Sequence, residues 1–111
     1  MIRQETVSRV EVILAVDGPL AGGVVEDFHR RMTELATGSF LTITLDLSQT
    51  TTINSTAIGK LIFFSRKFAE TRKILQIQGC SEGVYRIFKA LQLDKLIKME
   101  MRTRGQPGST A

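Results

Sequence analysis

The sequence is poor in the residues from which most small-protein chemistry is built. Its 111 residues hold one cysteine, one histidine, two prolines and no tryptophan. A lone Cys80 excludes an intramolecular disulfide, and without a second cysteine or a nearby histidine it completes no metal or redox motif. It reads as a small buried residue. His29 stands among Asp27, Arg30 and Arg31 and reads as a solvated side chain on a polar helical face. The spellings GxxxxGK[ST], GxGxxG and HExxH are missing, so phosphate cradles, dinucleotide sites and zincin centres have no support. The expectation is a protein that is not an enzyme and needs no cofactor or metal.

Long apolar runs are missing too. No 18-residue span is free of charge and apolar, and MIRQETVSRVEV carries Arg3, Glu5 and Arg9 before any signal-peptide core could form. A cytoplasmic protein with no direct membrane insertion is expected. What is present is an ordinary globular balance of 42% hydrophobic and 23% charged residues, which excludes disordered and disulfide-stapled classes. The length suits one domain. It is expected over residues 1–101, with RTRGQPGSTA at 102–111 as a flexible C-terminal tail.

The net charge of +4 conceals an asymmetry. Residues 1–59 carry four basic and seven acidic side chains, a net −3, whereas residues 60–111 carry eleven and four, a net +7. From Leu47 through Gly59 run 13 residues without a charge, six of them Ser or Thr. A dipolar chain of this kind suits a protein surface at least as well as a phosphate backbone.

Periodicity supplies the elements. Residues 9–16, RVEVILAV, form a strand that ends in the turn Asp17-Gly18-Pro19 and pairs with residues 2–7. From Ala21, the residues Val25, Phe28, Met32 and Leu35 recur at helical spacing up to Gly38. FLTITLDL at 40–47 is a central strand buried on both faces. A neutral polar loop follows, and then an amphipathic helix from Ser55 to Arg72 whose first turn Asn54 or Ser55 can cap. ILQIQ at 74–78 is another strand, Ser81 caps a third helix carrying Val84, Ile87, Phe88 and Leu91, and residues 93–101 form a helical turn and an edge strand. Strands alternating with helices imply an α/β fold with parallel pairing, made mixed by the first hairpin.

The chemistry-bearing stretch is Ile53-Asn54-Ser55-Thr56-Ala57-Ile58-Gly59-Lys60-Leu61, which places two hydroxyls at a helix start. One reading is capping alone, since hydroxyl oxygens satisfy first-turn N–H groups. The other is phosphate acceptance. A helix N-terminus favours an anion, and phosphoserine would add about −1.5 to −2 charges to a neutral segment.

The run from Leu41 to Met99 resembles the STAS domain, the fold of bacterial anti-sigma factor antagonists. The resemblance rests on the LDL strand, on Asn54-Ser55-Thr56-Ala57-Ile58-Gly59 in the place of the family's Asp-Ser-Ser/Thr-Gly-Leu-Gly, and on Leu91-Gln92-Leu93 in the place of its late Gly-Leu. Asn54 stands where the family has Asp, and Ala57 where it has Gly. The resemblance implies a single STAS-like domain, with a mixed, mostly parallel sheet of four to five strands and three to four helices. It further implies that Ser55, with Thr56 as second choice, is the residue phosphorylated by a partner serine kinase that is also the anti-sigma factor. A PP2C-type phosphatase would restore the unphosphorylated, binding form.

Around that site, Asn54, Ser55, Thr56, Ile58, Gly59, Lys60 and Phe63 are the candidate partner-binding residues. Phe63 falls off the apolar stripe of its helix, while Lys60, Arg66, Lys67, Arg72 and Lys73 supply positive charge. Such a face is either simply solvated, with Phe63 under a loop, or a partner surface with an aromatic anchor and a basic rim. Two alternatives to the switched antagonist follow. One is a constitutive STAS subunit of an ABC-type lipid transporter, docking on its ATPase. The other is a nucleotide or nucleic-acid binder, suggested by the basic second half but lacking any RNA-binding motif; no nucleic acid is expected as partner.

Overall fold

The computed structural model describes residues 1–100. Met101 and the tail expected at 102–111 lie outside the described residues. In chain order the elements are β1 (Ile2–Thr6), β2 (Glu11–Val16), β3 (Gly18–Leu20), α1 (Gly23–Thr37), β4 (Thr42–Leu47), β5 (Thr50–Ile53), α2 (Ser55–Glu70), β6 (Ile74–Cys80), α3 (Glu82–Ala90), a 3-10 turn (Leu93–Lys95) and β7 (Lys98–Glu100). The main sheet has the order β1-β2-β4-β6-β7. Only the β1–β2 hairpin is antiparallel; β2, β4, β6 and β7 run parallel.

Alternation along the strands builds the core. The register aligns Val12 with Ile43 and Ile43 with Leu75, then Leu14 with Leu45 and Leu45 with Ile77. All six are buried, as a period of two requires for side chains on one face of a sheet. The helices lay their apolar stripes on this core: Val25, Phe28, Met32 and Leu35 from α1, Ala57, Leu61, Phe64 and Phe68 from α2, Val84 and Phe88 from α3. Each fully buried phenylalanine or leucine contributes roughly 1.5–3 kcal/mol. The alternate positions of β4 are polar yet also buried. Thr44 Oγ1 accepts from Gln76 Nε2 at 3.0 Å, and Asp46 Oδ1 accepts from the Ser48 amide and hydroxyl at 3.0 and 2.7 Å. The central strand is thus covered on both faces, by hydrocarbon on one and by hydrogen-bonded side chains on the other.

Two segments depart from the sequence expectation. Gly18–Leu20, expected as a turn, and Thr50–Ile53, expected within a loop, form a second, two-stranded parallel sheet, with Gly18 opposite Thr50 and Leu20 opposite Ile53. The turn-forming residues are still used as such, since Gly18 has φ +91°. The ribbon exists because its partners, about 30 positions apart in sequence, are brought together by the main sheet. Thr50 Oγ1 donates to the Val16 carbonyl at 2.8 Å and the Gly18 amide to the Gln49 carbonyl at 3.0 Å. The second helix also stops at Glu70, short of Arg72. Its end is closed by the Lys73 amide on the Phe68 carbonyl at 2.8 Å and the Arg72 amide on the Ala69 carbonyl at 3.2 Å, with Arg72 left-handed at φ 61°.

Candidate functional site

The β3–β5 ribbon delivers the chain to the start of α2. The Asn54 amide donates to the Leu20 carbonyl at 3.3 Å, which ties the entry of the helix to β3. Asn54 is extended at φ −94° and ψ 171°, and its Oδ1 accepts from the Ala57 amide at 2.8 Å. This is the N-cap geometry. It settles which of the two candidates caps: Asn54 does, and Ser55 is the first helical residue.

Ser55 and Thr56 are both exposed. Neither hydroxyl makes a hydrogen bond among the described residues, so capping does not occupy them. Their backbone N–H groups belong to the first turn, which has no intrahelical acceptors, and that turn contains no acidic residue. The positive end of the α2 dipole therefore has no acid within its own turn beside the accessible serine hydroxyl.

The other expected residues sort by burial. Ala57 is fully buried and Ile58 packs partly against the core, so both face inward. Gly59 is exposed in mid-helix, and a Cβ built there meets no atom within 4 Å. Lys60 is half-buried. Phe63 is 51% exposed, standing edge-on to Phe64 with ring centroids 5.0 Å apart.

The structure adds residues that the sequence reading had not joined to the site. The first turns of α1 and α2 border a groove of about 470 Å³ lined by Gly22, Val25, Glu26, His29, Asn54, Thr56 and Lys60. His29 is therefore not the solvated side chain expected. It is half-buried with its ring 5.3 Å from that of Phe64 and 6.4 Å from that of Phe63, and its Nδ1 is buried. The reason is helical geometry: His29 lies four residues after Val25 and three before Met32, on the border of the apolar stripe. That spacing was the available signal, outweighed by the charged neighbours. Glu26 and Lys60 also bring opposite charges to a segment that is neutral in sequence.

A second motif has the spelling without the geometry. Gly79-Cys80-Ser81-Glu82-Gly83 matches G-x-S-x-G at the strand-to-helix junction between β6 and α3, the setting of a hydrolase nucleophile. Ser81, however, has an unstrained φ of −63°. Its hydroxyl donates to the Thr50 carbonyl at 2.7 Å and accepts from the Val84 amide at 3.4 Å, and the chain's one histidine packs on α2. Ser81 is an N-cap that also fastens α3 to β5. Cys80 is buried as expected, and desolvation pushes its thiol up to about 12. Among the described residues no cluster of His, Cys, Asp and Glu could hold a metal ion, and no helix is long and apolar enough to cross a membrane.

Solved structures share this fold. The phosphorylated form of SpoIIAA, a Bacillus cell fate determinant, superposes with a TM-score of 0.73 at 18% identity, over 90% of this chain and 91% of that one. A putative anti-sigma factor antagonist from Thermotoga maritima gives 0.80 at 21% identity, over 89% and 85%. The STAS domain of a SulP transporter from Vibrio cholerae gives 0.62 at 21%, over 80% and 68%. No curated protein matches the sequence. The family described as the STAS domain matches residues 1–105, nearly the whole length, and the mixed five-stranded sheet is shared with the antagonist SpoIIAA. The chain belongs to the STAS domain family.

Proposed function

We propose that this protein is an anti-sigma factor antagonist, a binding module whose α2 entry docks on a partner serine kinase that is also the anti-sigma factor. Phosphorylation of Ser55 switches the docking off, and a PP2C-type phosphatase reverses it. The observation that carries the reading is the division of labour at the helix start: Asn54 caps, which leaves the Ser55 hydroxyl exposed and uncommitted. Solved structures described as anti-sigma factor antagonists, one of them phosphorylated, support it. A phosphate on Ser55 would sit on the first-turn N–H groups of a turn that holds no acidic residue, so the helix would tolerate it. A partner seated against Gly59 and Phe63 would meet new negative charge and a desolvation cost.

The test is peptide mapping by mass spectrometry after incubation with a cognate serine kinase and ATP. One phosphate on Ser55, with Thr56 as the second acceptor, is the expected result; an unmodified protein sinks the switch. In a binding titration against that kinase Ser55→Asp should weaken the complex by about 1 kcal/mol or more.

A second reading has its own support. Asn54 gives the site an amide where antagonists carry an acid, and transporter STAS domains share the fold. A constitutive subunit of an ABC-type lipid transporter would use the same surface on its ATPase without phosphorylation. Co-purification separates them: a serine kinase supports the antagonist, an ATPase the transporter subunit.

A further inference from the structure

β1 is an open edge of the main sheet, with β2 on one side of it and, among the described residues, no strand on the other. Its pairing shows which groups face outward. The Met1 ammonium donates to the Asp17 carbonyl and the Asp17 amide to the Met1 carbonyl, each at 2.8 Å, and the Val7 amide donates to the Glu11 carbonyl at 3.0 Å. In an antiparallel pair such bonded positions recur every second residue, so Arg3 and Glu5 also turn toward β2, while Ile2, Gln4 and Thr6 turn their N–H and C=O groups away. Those groups form a row along the edge. Arg3, Gln4, Glu5 and Thr6 are all exposed, so no helix covers it.

Sheet edges of this kind are ordinarily protected against pairing by a lysine, a proline, a bulge or a covering segment. β1 has none of these: IRQET holds neither lysine nor proline, and its register with β2 is regular from Ile2 to Thr6. What it has is one charge of each sign, Arg3 and Glu5, two residues apart and therefore on one face. That is the face away from the helices, because Arg3 lies opposite Ala15 and Glu5 opposite Ile13, whereas Val12 and Leu14 enter the core. The pattern is self-complementary about Gln4. Two-fold antiparallel pairing needs outward groups to meet outward groups, so its axis falls at a whole residue. Centring on Arg3 or Glu5 sets like charges face to face, and centring on Ile2 or Thr6 leaves most of the strand unpaired. Centring on Gln4 sets Gln4 against itself, Ile2 against Thr6, and Arg3 against Glu5 twice, at the positions without main-chain bonds where side chains lie closest.

We infer that β1 is a docking edge for a second copy of this chain, the two joining antiparallel about Gln4 into one continuous sheet. About six main-chain bonds form across it. Arg3 already donates through Nε and Nη2 to Asp17, at 2.7 and 3.2 Å, which uses two of the guanidinium's five N–H groups. The others are left for the copy's Glu5. The contact is far smaller than the roughly 20–30 residues a side of a standard interface, so the dimer forms at high concentration and separates on dilution. Because β2 and β4 run parallel to each other and opposite to β1, the α2 entries of the two copies face opposite ends of the joined sheet. Each stays open to its own partner. The inference does not depend on phosphorylation of Ser55, and its test does not involve that residue.

The test is sedimentation equilibrium of the full chain from about 10 μM to about 1 mM, a range suited to weak association. The average mass should climb from 12.3 kDa toward twice that value. Gln4→Pro removes one outward N–H and no bond to β2, and it should leave a monomer with an unchanged circular dichroism spectrum. Arg3→Glu and Glu5→Arg each turn two facing pairs into like charges, and each should weaken association about tenfold. Mixed in equal amounts, those two variants should associate again, since every facing pair is then opposite in sign. A monomer at every concentration overturns the inference, as does association undiminished by Gln4→Pro. Failure of the mixed variants to associate, when each alone is a folded monomer, overturns it as well.

Discussion

Asn54 Oδ1 accepts the Ala57 amide at 2.8 Å, and this bond separates the stability of α2 from the chemistry of Ser55. Asn54→Ala should cost about 1 kcal/mol, the usual loss for a removed N-cap. Asn54→Asp should keep the bond and add a few tenths of a kcal/mol from the helix dipole. Ser55→Ala should stay within about 0.5 kcal/mol of wild type, as for exposed positions outside such features. Urea denaturation of the three variants checks all of these. A Ser55→Ala loss as large as that of Asn54→Ala would mean that the serine is structural.

Gly59 gives the second prediction. It lies in the interior of α2 with ordinary helical φ, and a methyl group there would meet nothing within 4 Å. Gly59→Ala should therefore stabilise the isolated protein by about 0.5–1 kcal/mol, seen as a higher midpoint in urea. If a partner backbone approaches this face, the same change weakens binding while it strengthens the fold. Those opposite signs, in denaturation and in titration calorimetry, are the signature of a docking surface.

Cys80 gives the third. Burial pushes its thiol up to about 12, from an ordinary value near 9. The neutral thiol is favoured in the fold, so its contribution is complete below the unfolded value and is lost as pH rises from about 9 toward 12, where the unfolded chain binds fewer protons. Stability should fall over that range, and Cys80→Ser or Cys80→Ala should flatten the slope. At pH 8 alkylation of the folded protein should be slow and should follow unfolding, as measured by mass spectrometry with and without denaturant.

At the acid end the relevant pair is Arg3 and Asp17. The Arg3 Nε donates to Asp17 Oδ2 at 2.7 Å and Nη2 to Oδ1 at 3.2 Å, while the N-terminal ammonium donates to the Asp17 carbonyl at 2.8 Å. The Arg3 hydrogen bonds hold the Asp17 carboxyl below the usual range. A lowered carboxylate stabilises the fold above its unfolded value and loses that effect as pH falls through the folded one. Asp17→Asn should flatten the acid limb of the stability curve, measured by thermal melts between pH 2 and pH 5, a window set by ordinary carboxylate values near 4. Because the pair is exposed, high salt should shrink the difference.

The elements that the sequence disclosed were those whose burial is written in their own period. The stripe Val25, Phe28, Met32 and Leu35 fixes α1, the run ending in Leu45-Asp46-Leu47 fixes β4, and Ser81 marks the start of α3 through a hydroxyl that caps Val84. Cys80 was legible for the same reason, since nothing around it in sequence could use a thiol. The Asn-Ser-Thr junction was visible as a hydroxyl-rich helix start, but the choice of capping residue was not. Asn54 and Ser55 can both cap, and only the extended backbone of Asn54 decides between them.

Tertiary structure decided what depends on partners distant in the chain. Thr50–Ile53 has β-forming side chains but too little hydrocarbon to declare a strand, and it pairs because the main sheet brings Gly18–Leu20 beside it. His29 reads as polar from its neighbours and becomes part of an aromatic contact only when α1 packs on α2. Local periodicity is a property of one segment, so it is written in the sequence. Which segments meet, and what their meeting leaves exposed, is set by packing, and that is where the site was made.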